Sequence, residues 1–246
     1  MSLLDMLEPV VDMPPIITVV GDAGVGKTSL ASKFPKPIFI RAEDGLSAVN
    51  PKPAAFPVLQ NGNQVFEQLT ALYKEEHDYQ TLVIDSITKL NALFEKDIVD
   101  ADPKAKSINT ANGGYGAGIS ASVELHWRVK RAVDALRAKG MAIVMIAHAD
   151  IERVELPDLE AFSRYSIRMH KKQVAPYSDD VDMVGYLHGR LFINEGKVID
   201  SGEIILTCTS NASRISKNRY GIKEPLQPEF IEISKHIPFY NNKQGN

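Results

Sequence analysis

Nine consecutive residues, Gly21-Asp22-Ala23-Gly24-Val25-Gly26-Lys27-Thr28-Ser29, have the types and spacing that a triphosphate demands. Glycines let the backbone turn tightly and bring successive N–H groups up to phosphate oxygens, and the helix expected to follow adds its partial positive charge. Lys27 would reach the β and γ phosphates, and Thr28 would offer its hydroxyl to Mg²⁺. An acid is needed to hold a water on that ion, and Asp85, which ends the apolar run Thr81-Leu82-Val83-Ile84, has the right placement. The next position is Ser86 rather than a second acid, so the carboxylate that activates an attacking water has to come from elsewhere. Glu43, at the end of a neighbouring apolar run, is the obvious supplier, its bland alternative being a solvated loop carboxylate. His148 closes a further run, Ala142 to Ala147. It would face the γ-phosphate from the far side of the site as a hydrogen-bond donor, unless it is a simple strand-end histidine. The ligands implied are ATP and Mg²⁺.

These groups must be carried by strands that end on one rim. Ile16 to Val20, Ile38 to Ile40, Thr81 to Ile84 and Ala142 to Ala147 are short apolar runs of the kind that form buried parallel strands, and in open α/β sheets ligands sit beyond the carboxyl ends of such strands. Helices are expected between them: one capped by Asn61 or Asn63 with Val65, Phe66, Leu69, Leu72 and Tyr73 on one face, one through Ile87, Leu90, Leu93, Phe94 and Ile98, and one from about Val123 to Gly140. From Val181 the chain turns β-rich, with runs at Met183–Leu187, Arg190–Ile193, Lys197–Asp200 and Glu203–Thr209, hairpin signals at Asn194-Glu195-Gly196 and Ser201-Gly202, and a last strand near Phe230 to Ile233.

Composition bounds the partners. The 246 residues are 44% hydrophobic, enough for a large core, and fit one domain better than two. A net charge of −3 provides no global basic field, so nucleic acid can be met only by a local patch. The single cysteine, Cys208, lies in an apolar run, excludes a disulfide framework and suits a reducing cytosol. There is no apolar run of membrane length, hence no membrane partner is expected. Residues 1–15 read as an N-terminal arm that packs on its own domain or, alternatively, docks on a neighbouring subunit; 16–235 read as the domain, and 236–246 as a frayed tail.

Two long excursions interrupt the pattern. Residues 100–122 hold Tyr115 among four glycines, able to stack on a base or simply part of a mobile loop. Residues 150–182 begin acidic and then carry Arg164, Arg168, Lys171 and Lys172 with Phe162 and Tyr165 interleaved. Cations for phosphates and rings for bases are what single-stranded nucleic acid requires; the competing reading is a solvated helix face, because Phe162, Tyr165 and Met169 fall at helical spacing. Four phosphate contacts would give a salt slope of roughly −3.

Taken together, the phosphate loop at 21–29, the glutamate at 43, the single-acid strand ending at 85 and the polar strand end at 148 resemble, in this order, the RecA-type P-loop ATPase core over about residues 15–235. The resemblance implies an α/β fold with a mostly parallel central sheet flanked by helices and an antiparallel β extension on the C-terminal side. It also implies that the two excursions are DNA-facing loops. Lys217-Asn218-Arg219 is similar to the turn by which such proteins send cations to the γ-phosphate of an adjacent subunit, an arginine-finger arrangement in a homo-oligomeric ring or filament. The small size most resembles phage-encoded members proposed to act in single-strand annealing and recombination in the cytoplasm of a bacterial host. His148 departs from the glutamine usual in recombinases. Alternatives within reach of the same motifs are a hexameric DNA translocase or helicase, a small-molecule kinase, and an ATP-gated scaffold without useful turnover.

Overall fold

A computed structural model describes residues 3–7, 11–194, 197–209 and 211–241. The short apolar runs become strands because each is buried on both faces, where a period-two alternation can feed two cores at once. In chain order the elements are β1 (Ile16–Gly21), α1 (Lys27–Ser32), β2 (Pro37–Arg41), β3 (Ala54–Ala55), α2 (Asn63–Lys74), β4 (Thr81–Asp85), α3 (Ile87–Asp100) and α4 (Ala117–Ala138). They continue with β5 (Ala142–Leu156), β6 (Leu159–Ile167), α5 (Lys171–Ser178), β7 (Met183–Asn194), β8 (Lys197–Thr207), β9 (Lys217–Asn218), α6 (Phe230–Ser234) and α7 (Pro238–Asn241).

The sheet order is β3-β2-β4-β5-β1-β7-β8, with β3 to β7 all parallel and β8 antiparallel to β7. This is the mostly parallel sheet with an antiparallel C-terminal extension that the sequence implies. Ile16 and Val20 of β1 point to one face, with Ile38, Leu82 and Ile143, against helices α2 to α5. Ile17 and Val19 point to the other, with Phe39, Val83 and Val144, against Leu30, Phe34, Ile233 and Ile237. Cys208 is buried in this second core as a free thiol. Among the described residues no helix is long and apolar enough to cross a membrane.

Several elements differ from their sequence expectation. The helix α4 begins at Ala117, not near Val123, and runs 22 residues. Gly118 belongs to it because a Cβ there would lie 2.2 Å from the Ile108 carbonyl oxygen; this glycine serves close packing of the preceding loop rather than looseness. Arg164 and its neighbours form no helix face: β5 continues beyond His148 and pairs antiparallel with β6, joined through Pro157-Asp158. That Pro-Asp pair between two extended runs is a turn signal, and it wins over the accidental spacing of Phe162, Tyr165 and Met169.

Farther on, the four short strands expected after 181 are two long ones, and Ser201-Gly202 lies inside β8 where the register with β7 shifts, a bulge rather than a turn. Glu195 and Gly196 of the other expected turn lie outside the described residues. Phe230 to Ile233 is helical, as part of α6, with Ile233 fully buried. The tail expected from 236 therefore starts on packed structure, with α7 at 238–241 and only 242–246 outside the described residues. At the other end Met6, Leu7 and Val11 are exposed rather than packed on the domain, while residues 1, 2 and 8–10 of the expected arm lie outside the described residues.

Candidate functional site

The site is assembled by three parallel strand ends. β1 delivers the glycine loop, β4 delivers Asp85, and β5, which lies between them, delivers His148 opposite Gly21. His148 is thus central, not on the far side as the sequence suggests. β1 can approach β7 so closely only because residue 21 is glycine: a Cβ there would sit 2.5 Å from the Leu187 carbonyl oxygen. Gly26 caps α1 at φ +99, a conformation open to glycine and costly for other residues.

One cleft is lined by Ala23, Gly24, Gly26, Lys27, Thr28, Ser29, Glu43, Gly45, Asp85 and His148. The Lys27 ammonium donates to the carbonyl oxygens of Gly21 at 2.9 Å and Asp22 at 2.7 Å, and burial lowers its pKa, the nearby Asp85, Glu43 and Asp22 opposing that shift. Thr28 Oγ1 donates to Asp85 Oδ2 at 2.8 Å, which places two hard oxygen donors side by side. Burial raises the Asp85 pKa, with the Thr28 hydrogen bond acting the other way.

Glu43 faces inward. Its Oε1 accepts from His148 Nε2 at 3.0 Å and from Ser86 Oγ at 2.7 Å. The His148 bond is the main reason its pKa is lowered, and burial works against it. Accepting that bond fixes Nε2 as the protonated ring nitrogen. Asp44 turns away to Arg41, 3.2 Å off and largely exposed.

The residues fit a magnesium nucleotide. Added Cβ atoms at Gly24 and Gly26 would meet nothing within 4 Å, so the loop borders open space, and one at Gly45 would lie 3.7 Å from Asp85 Oδ2 and 3.8 Å from Thr28 Oγ1. Gly45 leaves room beside the two candidate metal oxygens. Thr28 and Asp85 would hold Mg²⁺, directly or through water. Ser86 and Gly45 carry no sequence flag of function; the only hint is that each sits one or two positions beyond a flagged acid.

The remaining expected residues are distributed differently. Arg164 is on β6 and is occupied by Glu152, its Nε donating to Oε1 at 2.9 Å. Lys171 and Lys172 are exposed on the first turn of α5, and Tyr115 is fully exposed on its loop. Arg168 is exposed just past β6, its N–H bonded to the His148 carbonyl at 2.9 Å, beside the cleft and not with the two lysines. Lys217 and Arg219 lie at the opposite end of the sheet: β9 pairs with Met183 and Val184, the first residues of β7, four strand residues or about 13 Å from the rim. Lys217 donates to the Asp179 carbonyl, and Arg219 pairs with the buried Asp182 at 2.9 Å. Neither reaches the cleft of its own chain, so a role at a nucleotide would have to be at a neighbour's.

A family profile described as an AAA domain matches residues 13–220. Among curated proteins, the SPbeta prophage-derived uncharacterized protein YorG of Bacillus subtilis (strain 168) is 24% identical over 219 residues, covering 87% of this chain. The chain spans 62% of the length of that relative.

Proposed function

From the premise that the chain belongs to the AAA-domain family of P-loop nucleotide-binding ATPases, we propose that it hydrolyses ATP and, assembled with copies of itself on single-stranded DNA, promotes annealing or recombination. The observation that carries the hydrolytic part is the convergence of Lys27, Thr28, Asp85, Glu43 and His148 on one cleft. Glu43, ionised and oriented by Ser86 and His148, takes the proton of the attacking water. Lys27 would neutralise the terminal phosphates, and Thr28 with Asp85 would hold a Mg²⁺ that supplies further positive charge to them.

The second excursion continues from β5 just past His148, Tyr115 of the first offers an open ring, and Lys171 with Lys172 offers two exposed cations. A prophage-derived relative fits a phage protein at work in the cytoplasm of a bacterial host. The test is the rate of ATP hydrolysis with and without single-stranded DNA at two salt concentrations. DNA-stimulated turnover that weakens with salt supports the whole reading. Turnover indifferent to DNA leaves an ATPase with another partner, and phosphoryl transfer to a metabolite would replace it with a kinase.

A further inference from the structure

We propose that Arg168 binds the terminal phosphate of the nucleotide held in its own subunit, so that one chain supplies both cations that phosphoryl transfer uses. This rests on the nucleotide reading of the cleft and adds to it a residue that the phosphate-loop motif does not contain.

Two observations support this. Ala149 and Ile167 are directly opposed in the β5–β6 ladder, and both are 2% exposed. One residue beyond that last ladder pair, the Arg168 N–H bonds the His148 carbonyl, which carries the antiparallel register on far enough to set Arg168 opposite His148. Opposed residues of an antiparallel pair project to the same side, with Cβ atoms roughly 5 Å apart. His148 projects into the cleft, where it donates to Glu43, so Arg168 is directed to the same side.

Second, Arg168 is uncommitted among the described residues, whereas Arg164, Arg137 and Arg219 are each paired with a carboxylate. An exposed, unpaired arginine at the mouth of a phosphate cleft keeps its donors for an incoming ligand.

In the reaction, the water oxygen bonds to the γ-phosphorus while the bond from phosphorus to the β,γ-bridging oxygen breaks. The water's proton passes to Glu43, and the electron pair stays on the diphosphate. Arg168 donates to the γ-phosphoryl oxygens across from Lys27 throughout. Loss of the γ-phosphate then frees the Arg168 side chain, which stands at the base of the β5–β6 hairpin.

The experiment compares Arg168→Ala and Arg168→Lys with the wild-type chain for the affinity of fluorescent ATP and ADP analogues with Mg²⁺, for turnover, and for single-stranded DNA affinity. Arg168 is exposed, so both variants should fold; matched thermal melts check this, and Arg168→Gln is the fallback. We expect Arg168→Ala to weaken ATP at least 10-fold more than ADP and to slow turnover at least about 100-fold, with partial recovery in Arg168→Lys. Mixing Arg168→Ala with Lys27→Ala subunits should restore nothing. Restored turnover in the mixture would overturn the proposal, because the arginine would then act on a neighbour's site. An unchanged ATP-to-ADP ratio with lowered DNA affinity would also overturn it and return Arg168 to DNA binding. If the wild-type chain binds no ATP, the nucleotide reading itself fails; wild-type binding with an unchanged ratio in the variant removes this proposal alone.

Discussion

Glu43 illustrates how one hydroxyl and one imidazole neighbour turn a loop carboxylate into a candidate base. The His148 donor is the largest influence holding its pKa down, with Ser86 adding to it and burial opposing both. A base acts only when ionised, so the acidic limb of the turnover–pH profile reports its protonation. Removing the donor raises the pKa, and turnover is then lost sooner as pH falls. We expect His148→Ala to move that limb to higher pH, and a limb that stays put while the rate merely falls would mean that His148 acts on the phosphate and not through Glu43. At this scale the sequence was most informative, because loop, lysine, hydroxyl and acid are fixed by spacing alone. His148 was legible as a strand-end group but not as the partner of Glu43, since 105 residues separate them and only the insertion of β5 between β1 and β4 brings them together.

Among the elements, helices α3, α4 and α5 are joined by a buried polar chain. His126 donates from Nε2 to Asn91 Oδ1 at 2.9 Å and accepts at Nδ1 from the Tyr177 hydroxyl at 2.7 Å. Ser122 donates to the same Asn91 oxygen at 3.3 Å and accepts from Gln173 Nε2 at 2.9 Å. Both ring nitrogens are thus used by the neutral form, and burial depresses the His126 pKa to about 3 from 6.5. Below 6.5 the unfolded chain takes up a proton that the native chain refuses. Stability is therefore full above that pH and declines as pH falls toward about 3, with a slope of at most about 1.4 kcal/mol per pH unit from this group. Urea midpoints measured across that range should show the decline, and a His126→Gln variant should lose part of it; an identical slope in the variant would place the effect on other groups. None of this chain is visible as a pattern in the sequence, because Asn91, Ser122, His126 and Gln173 sit on helix faces whose apolar spacing is their neighbours' doing. The same masking applies to β6: a charged, half-exposed strand has no apolar run to announce it, and only Pro157-Asp158 marks the hairpin. Strands of the central sheet, buried on both faces, could be read almost to the residue.

For the whole molecule, a net charge of −3 means that the proposed binding of single-stranded DNA would have to rest on few cations and on stacking. With Arg164 held by Glu152 and Arg168 assigned to the cleft, two of the four cations remain, and a salt slope of about −1.4 follows, shallower than four contacts would give. Tyr115→Ala should then cost about 10-fold in affinity, with the slope unchanged, whereas Lys171→Ala with Lys172→Ala should flatten it; an unaltered slope in the double variant would remove the lysines from the interface. The central matter is whether Glu43, Asp85 and Lys27 serve a single bound nucleotide. The most direct measurement pairs ATP turnover with ATP-induced thermal stabilisation in Glu43→Gln. Stabilisation by MgATP equal to that of the wild-type chain, with turnover lowered by about 10²- to 10⁴-fold, is the expected result. Turnover at the wild-type rate would contradict it and leave the cleft a nucleotide-binding site whose catalytic carboxylate lies elsewhere.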